Sequence, residues 1–223
     1  MPYRKTLLVT NETYHIFNRS VARQPIFVSQ RDYTRALETI NFYRYSKPPL
    51  RYSYYNRLIP QEKQNFFKNL STNQEPSLEI LAFCLMPNHV HLLIKQREDN
   101  GISNLMRNFQ HSYSKYFNLK NNRTGALFQA MFKAIRIETE EQLLHVSRYI
   151  HLNPVSSSLI KLESLENYPW TSFREYAGKL EPKHVQPEQI LNFFKSKNHY
   201  KEFIFDQAGY QQQLEAIKHL TLE

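Results

Sequence analysis

Met86-Pro87-Asn88-His89-Val90-His91-Leu92-Leu93-Ile94-Lys95-Gln96 is the stretch on which the fold turns. Residues 80–86 are an apolar run, Pro87-Asn88 has the chemistry of a tight turn, and residues 89–94 form a second run. Two segments of strand length joined by two turn residues predict a β-hairpin. Side chains alternate across a strand, so His89 and His91 share one face while Val90 and Leu92 share the other. Two imidazoles on one face can hold one metal ion, histidine being the commonest metal ligand. A plain sheet with two histidines is the blander alternative. Their place beside the turn, where a rigid scaffold meets solvent, favours function.

Working outward, residues 13–19 set Tyr14, Ile16 and Asn18 against His15, Phe17 and Arg19, a first strand with both faces covered. Ser29 to Asp32 opens a helix that runs to about residue 45, with Tyr33, Leu37, Ile40 and Tyr43 at helical spacing, and Pro48-Pro49 ends it. Residues 48–76 read as an insertion, polar and aromatic without clear period, with a short helix over 60–69. After the hairpin, residues 101–118 place Ile102, Leu105, Met106, Phe109, Tyr113 and Phe117 at three- and four-residue steps, an amphipathic helix. Residues 132–137 alternate as a strand, and Thr139 with Gln142 forms a capping box for a helix that stops at Pro154. The order β-α-β-β-α-β predicts an α+β, ferredoxin-like sheet with an appended helix. Residues 1–178 form that domain, and 179–223 a helical extension whose apolar residues, from Ile190 to Phe205, suit two or more short helices.

The chain has 223 residues, 41% of them hydrophobic and 14% aromatic, enough for one full core and too apolar for a disordered protein. Its 29 lysines and arginines against 20 acidic residues leave a charge of +9, which suits a polyanionic partner. Fifteen tyrosines and fifteen phenylalanines add rings on which bases can stack, although most will fill the core. A lone cysteine, Cys84, excludes an intrachain disulfide and reads as a buried structural thiol. The first residues lack the apolar core of a signal peptide and no run has the length of a membrane span, so a cytoplasmic protein is expected. No phosphate-binding Gly-x-x-x-x-Gly-Lys motif is present, consistent with a reaction that needs no ATP.

On the appended helix, Tyr149 and Asn153 are four residues apart and so lie on one face. Leu143, Val146 and Ile150 already supply the apolar stripe, leaving Tyr149 for the rim or for chemistry. Together, Met86-Pro87-Asn88-His89-Val90-His91, Arg148-Tyr149-Ile150-His151-Leu152-Asn153-Pro154 and Gly125-Ala126-Leu127-Phe128-Gln129 with Phe132-Lys133 resemble the single-tyrosine HUH transposases. Within that superfamily the chain most resembles the REP-associated tyrosine transposases. The likeness extends from Tyr14-His15-Ile16-Phe17-Asn18-Arg19 to the segment between Tyr168 and Tyr176.

The resemblance implies a nuclease fold with His89 and His91 as metal ligands, Tyr149 as nucleophile, and Asn153 able to complete the metal shell, where many relatives of the wider superfamily have glutamine. It also implies a divalent cofactor, Mg²⁺ or Mn²⁺. The imidazoles suit Mn²⁺ better, whereas Mg²⁺ would keep several waters. The reaction would be cleavage and rejoining of single-stranded, hairpin-forming DNA through a 5′-phosphotyrosine. A cation neutralises the phosphoryl oxygens, and a tyrosine of ordinary pKa about 10 must lose its proton as it attacks. His145, one turn before Tyr149, is a candidate base, with an inconsequential surface histidine as the default. Arg107, Lys115, Lys120, Arg123, Lys133 and Arg136 are candidate phosphate contacts, each equally readable as a solvated face. Relatives include dimers that exchange the tyrosine helix and monomers, and the REP-associated resemblance leans toward a monomer.

Other classes predict different behaviour. A DNA-binding protein that had lost catalysis would need none of His89, His91, Tyr149 and Asn153. A metal-dependent hydrolase using water would form no adduct and would tolerate loss of the tyrosine hydroxyl. An RNA-binding domain of ferredoxin-like type would expose aromatics on the sheet where the histidines stand.

Overall fold

A computed structural model describes residues 6–206. The tail from residue 207 and the N-terminal residues 1–5, on which part of the extension and leader expectations fall, lie outside the described residues. Strands β1 (Thr13–Arg19), β2 (Leu78–Met86), β3 (His89–Gln96) and β4 (Lys133–Ile137) form one sheet in the order β2-β3-β1-β4, with every pairing antiparallel. This is the expected ferredoxin-like order. The split βαβ unit leaves a gap beside β1, and the hairpin through Pro87-Asn88 folds β3 into it. An irregularity between Ile80 and Ala82 bends β2 while Leu81 stays buried. Cys84, opposite His91 in the register, is fully buried, and burial pushes its thiol pKa far up.

Two helices carry the crossovers. Helix α1 (Gln30–Tyr43) begins with a reciprocal capping box between Ser29 and Asp32. Asp32 is fully buried and also receives the Lys120 ammonium at 2.7 Å and the Tyr116 hydroxyl at 2.8 Å. The insertion differs from expectation. It holds α2 (Tyr52–Tyr55) and a longer α3 (Pro60–Asn73), and Tyr52 and Tyr55 close on Phe42 with Phe66 and Phe67 to form a satellite core. Aromatic packing, which leaves no periodic signature, orders this segment. Helix α4 (Gly101–Lys120) packs against α1. Its first residue must be glycine, because a Cβ there would lie 2.8 Å from the Ser77 carbonyl oxygen.

Helix α5 (Glu140–Ser156) packs on β2 and β3 and corrects two expectations. Thr139 caps the Gln142 amide, but the Gln142 side chain accepts from Glu138 rather than from Thr139, so the capping box is only half present. Pro154 does not stop the helix. Near the C-terminus it forfeits one N–H bond, and α5 continues to Ser156. The stop is a Schellman arrangement in which Ser158 is left-handed (φ 58°), its N–H donates to Val155 and the Leu159 N–H donates to Pro154.

Helix α6 (Phe173–Tyr176) comes just before the extension, whose described part contains α7 (Glu188–Leu191) and α8 (Lys197–Phe205). Helix α8 lies along α5. The Tyr200 hydroxyl is 2.8 Å from His151 Nδ1 and 3.2 Å from Ser147 Oγ, and Arg148 donates to the Phe203 carbonyl while stacking on its ring. Among the described residues no helix is long and apolar enough to cross a membrane.

Candidate active site

The register of three strands assembles the site. Antiparallel partners face the same way, so Arg19 opposite His89, Phe17 opposite His91 and Lys133 opposite Phe17 put all five side chains on one face, with His15 two residues along from Phe17. Across this face α5 lays Tyr149. Its ring meets His91 edge-on at 5.5 Å between centroids and His15 at 5.8 Å. The result is a cleft of about 270 Å³ lined by Phe17, Arg19, Arg23, His89, His91, Gln129, Lys133 and Tyr149, among others.

The hydrogen bonds orient each imidazole. Asn88 donates its amide N–H to the Arg23 carbonyl at 2.9 Å, which leaves its Oδ1 to accept. That oxygen lies 2.6 Å from His89 Nδ1, so the His89 proton belongs on Nδ1 and the bare Nε2 turns toward Asn153 Oδ1, 3.4 Å away. His91 Nδ1 is 2.9 Å from Nε2 of a third histidine, His15, whose ring stacks on it at 5.1 Å. If His91 donates there, its own Nε2 is free for a ligand, the arrangement typical of metal-bound histidine.

Burial decides the charge state. It pulls His15 and His89 down to about 4, with Arg19 adding to the effect on His89, and drives His91 well below the ordinary value with help from His89, His15 and Arg19. The three rings are therefore neutral near pH 7, as metal ligands must be. Two neutral imidazoles and the Asn153 amide oxygen fit a divalent cation that completes its shell with water or substrate oxygen. Among the described residues no three His, Cys, Asp or Glu side chains form a metal cluster, so a third protein ligand would be this amide.

The other expected residues fall in separate places. His145 is exposed, beside Glu141 and Arg148 on the outer side of α5. Lys133 lines the cleft. Arg136 pairs with Glu12, Arg123 bonds Asn118 and the Ala126 carbonyl, and Arg107 bonds Asn104. Lys115 and Lys120 belong to another groove, where Lys120 is engaged by Asp32. Sequence reasoning missed His15, Arg19, Arg23 and Gln129. Arg19 and His15 were visible as one side of the first strand, but their approach to His89 and His91 depends on β1–β3 pairing that no local pattern states.

Residues 47–153 match the family model described as IS200-like transposase. Among solved structures, a REP-associated tyrosine transposase bound to a REP hairpin has the same fold, with a TM-score of 0.52 and 18% identity over 83% of this chain and 92% of that one. No curated protein matches the sequence.

Proposed function

We propose that this chain, whose residues 47–153 match the IS200-like transposase model, is a tyrosine endonuclease and strand transferase that acts on single-stranded, hairpin-forming DNA. The observation that carries this reading is the convergence of Tyr149, His89 and His91, from two elements distant in sequence, on one cleft, with Asn153 Oδ1 3.4 Å from His89 Nε2. The hairpin-bound state of the structural neighbour supports the choice of substrate.

In this reading the Tyr149 oxygen attacks a phosphorus, the P–O3′ bond breaks, and the tyrosyl proton leaves as the 3′-oxygen gains one. DNA then remains attached as a 5′-phosphotyrosine until a 3′-hydroxyl attacks and releases the tyrosine. His89, His91 and Asn153 would hold a divalent cation, Mg²⁺ or Mn²⁺, which supplies charge neutralisation at the phosphoryl oxygens. Arg19, Arg23 and Lys133 place positive charge around the same phosphate. Phe17 gives a base an apolar surface, with the Lys133 ammonium 5.9 Å from its ring.

The test is incubation with Mn²⁺ and a single-stranded hairpin oligonucleotide, followed by a denaturing gel, with Tyr149→Phe in parallel. A covalent protein–DNA band from wild type and none from the variant is expected. Cleavage that survives the substitution without a band would identify a water-using hydrolase, and binding without cleavage a protein that has lost the reaction.

A further inference from the structure

Two consecutive residues between β1 and α1 stand in the left-handed region, and neither is glycine. Ala22 has φ 55° and ψ 23°, and Arg23 has φ 54°. A Cβ in that conformation crowds the following carbonyl, so such positions ordinarily fall to glycine or asparagine. Asn11, Asn100, Asn122, Gly125 and Gly178 hold five of the other six among the described residues. Strain of this kind persists only where the surroundings impose it, and it gathers at functional sites. The surroundings here are the hairpin turn and the loop after α4. The Ser20 N–H donates to the Asn88 carbonyl at 2.8 Å and the Val21 N–H to the Leu127 carbonyl at 2.9 Å, while the Ser20 hydroxyl closes the turn on the Gln24 carbonyl at 2.6 Å. Beyond the turn, the Ile26 and Phe27 N–H groups both donate to the Pro87 carbonyl, at 2.7 and 3.0 Å. Ile26, Phe27 and Leu127 are buried, which anchors the segment on both of its neighbours.

What the turn delivers is one carbonyl. The Arg23 C=O can only accept, so it draws the NH₂ end of the Asn88 side chain, 2.9 Å away, and leaves Oδ1 as the end that faces His89 Nδ1. An amide without that anchor can rotate by half a turn and present its NH₂ group to the same nitrogen. His89 Nδ1 would then accept, and the imidazole proton would move to Nε2, the atom that faces Asn153. The Arg23 carbonyl therefore selects between a His89 whose inward nitrogen has a free lone pair and one whose inward nitrogen carries hydrogen. Only the first can bind a cation. The Arg23 side chain meanwhile lines the cleft, so the backbone and the guanidinium of one residue serve different ends.

We infer that the Val21–Arg23 turn is a positioning element of the candidate metal site: the Arg23 carbonyl fixes the Asn88 amide and, through it, the tautomer of His89. The inference rests on the function proposed above, in which His89 is a metal ligand, and adds the device that sets that ligand. Two substitutions at one position separate the turn from the charge. Asparagine tolerates the left-handed region and valine does not, and both remove the guanidinium.

Nitrogen NMR spectra of histidine-labelled, metal-free protein near pH 7 read the tautomer directly, with His89→Gln assigning the signals, and calorimetric titration of Mn²⁺ reads the affinity. Wild type and Arg23→Asn are expected to hold the His89 proton on Nδ1. Arg23→Asn, which loses a repelling charge, should bind Mn²⁺ at least as tightly as wild type. Arg23→Val and Asn88→Ala should show mixed tautomers at His89 and bind Mn²⁺ about 10–100-fold more weakly. Asn88→Ala leaves the turn backbone alone and carries the test if Arg23→Val does not fold. A wild-type proton on Nε2, an unaltered tautomer and affinity in Asn88→Ala, or an equal loss in Arg23→Asn and Arg23→Val each overturns the inference. A wild type with the expected tautomer but no covalent DNA band overturns the function proposed above and leaves the turn's hold on His89 in place.

Discussion

The residue most revealing of how the cleft works is His15, because it touches the candidate metal site only through another side chain. Its Nε2 stands 2.9 Å from His91 Nδ1, and its ring packs against both Phe17 and His91. A partner on the second nitrogen of a ligating histidine fixes its tautomer and direction. His15→Phe keeps the ring packing and removes the hydrogen bond, so metal affinity should fall by about 10–100-fold with little change in folding. Calorimetric titration of Mn²⁺ into both proteins checks this, and recovery in His15→Gln would attribute the effect to the hydrogen bond. Equal affinity in His15→Phe would remove His15 from a positioning role. At this scale the sequence was eloquent about His89, His91, Tyr149 and Asn153, because fixed spacing on a strand and on a helix states which side chains share a face. It was silent about His15 and Arg19, which reach the histidine pair only by cross-strand pairing.

At the scale of elements, α5 is held from both sides, by β2 and β3 beneath and by α8 outside. The Tyr200 hydroxyl is the main polar contact of that outer clamp, shared by His151 and Ser147, and all three groups are fully buried. Tyr200→Phe leaves the ring packing and strips the Nδ1 partner from a buried imidazole that keeps Ser172 on Nε2, a loss of about 1–3 kcal/mol. Urea unfolding followed by circular dichroism measures it. An unchanged midpoint would mean that α8 rests on α5 by packing alone. Strand and helix order was legible in hydrophobic period, and β1 has the bounds expected of it. The end of α5 was not, since a serine in the left-handed region carries no signature comparable to glycine, and the nearby proline pointed to a false stop. The satellite core around Phe42 escaped for a similar reason: rings from three segments meet without periodic spacing in any one of them.

For the whole molecule, the price of burying imidazoles appears in acid. His184, packed edge-on to Phe83, has its pKa pulled down to about 4 by burial, with Lys183 and Arg44 adding repulsion. Above pH 6.5 the ring is neutral in both folded and unfolded chains, so it adds no pH dependence. Between about 6.5 and 4 the unfolded chain takes a proton that the folded one refuses, and stability falls by about 1.4 kcal/mol per pH unit from this residue. Urea midpoints at pH 7, 6 and 5 should therefore decline, and less steeply for His184→Gln; parallel slopes would contradict the assignment. The same tight interior has a consequence for the single thiol of the chain. Cys84 lies in β2, sealed and held as the unreactive thiol, so an alkylating reagent can reach it only when the sheet opens. The protein thus contains its own clock for unfolding: the rate at which that sulfur is modified counts the moments when strand and overlying helix part.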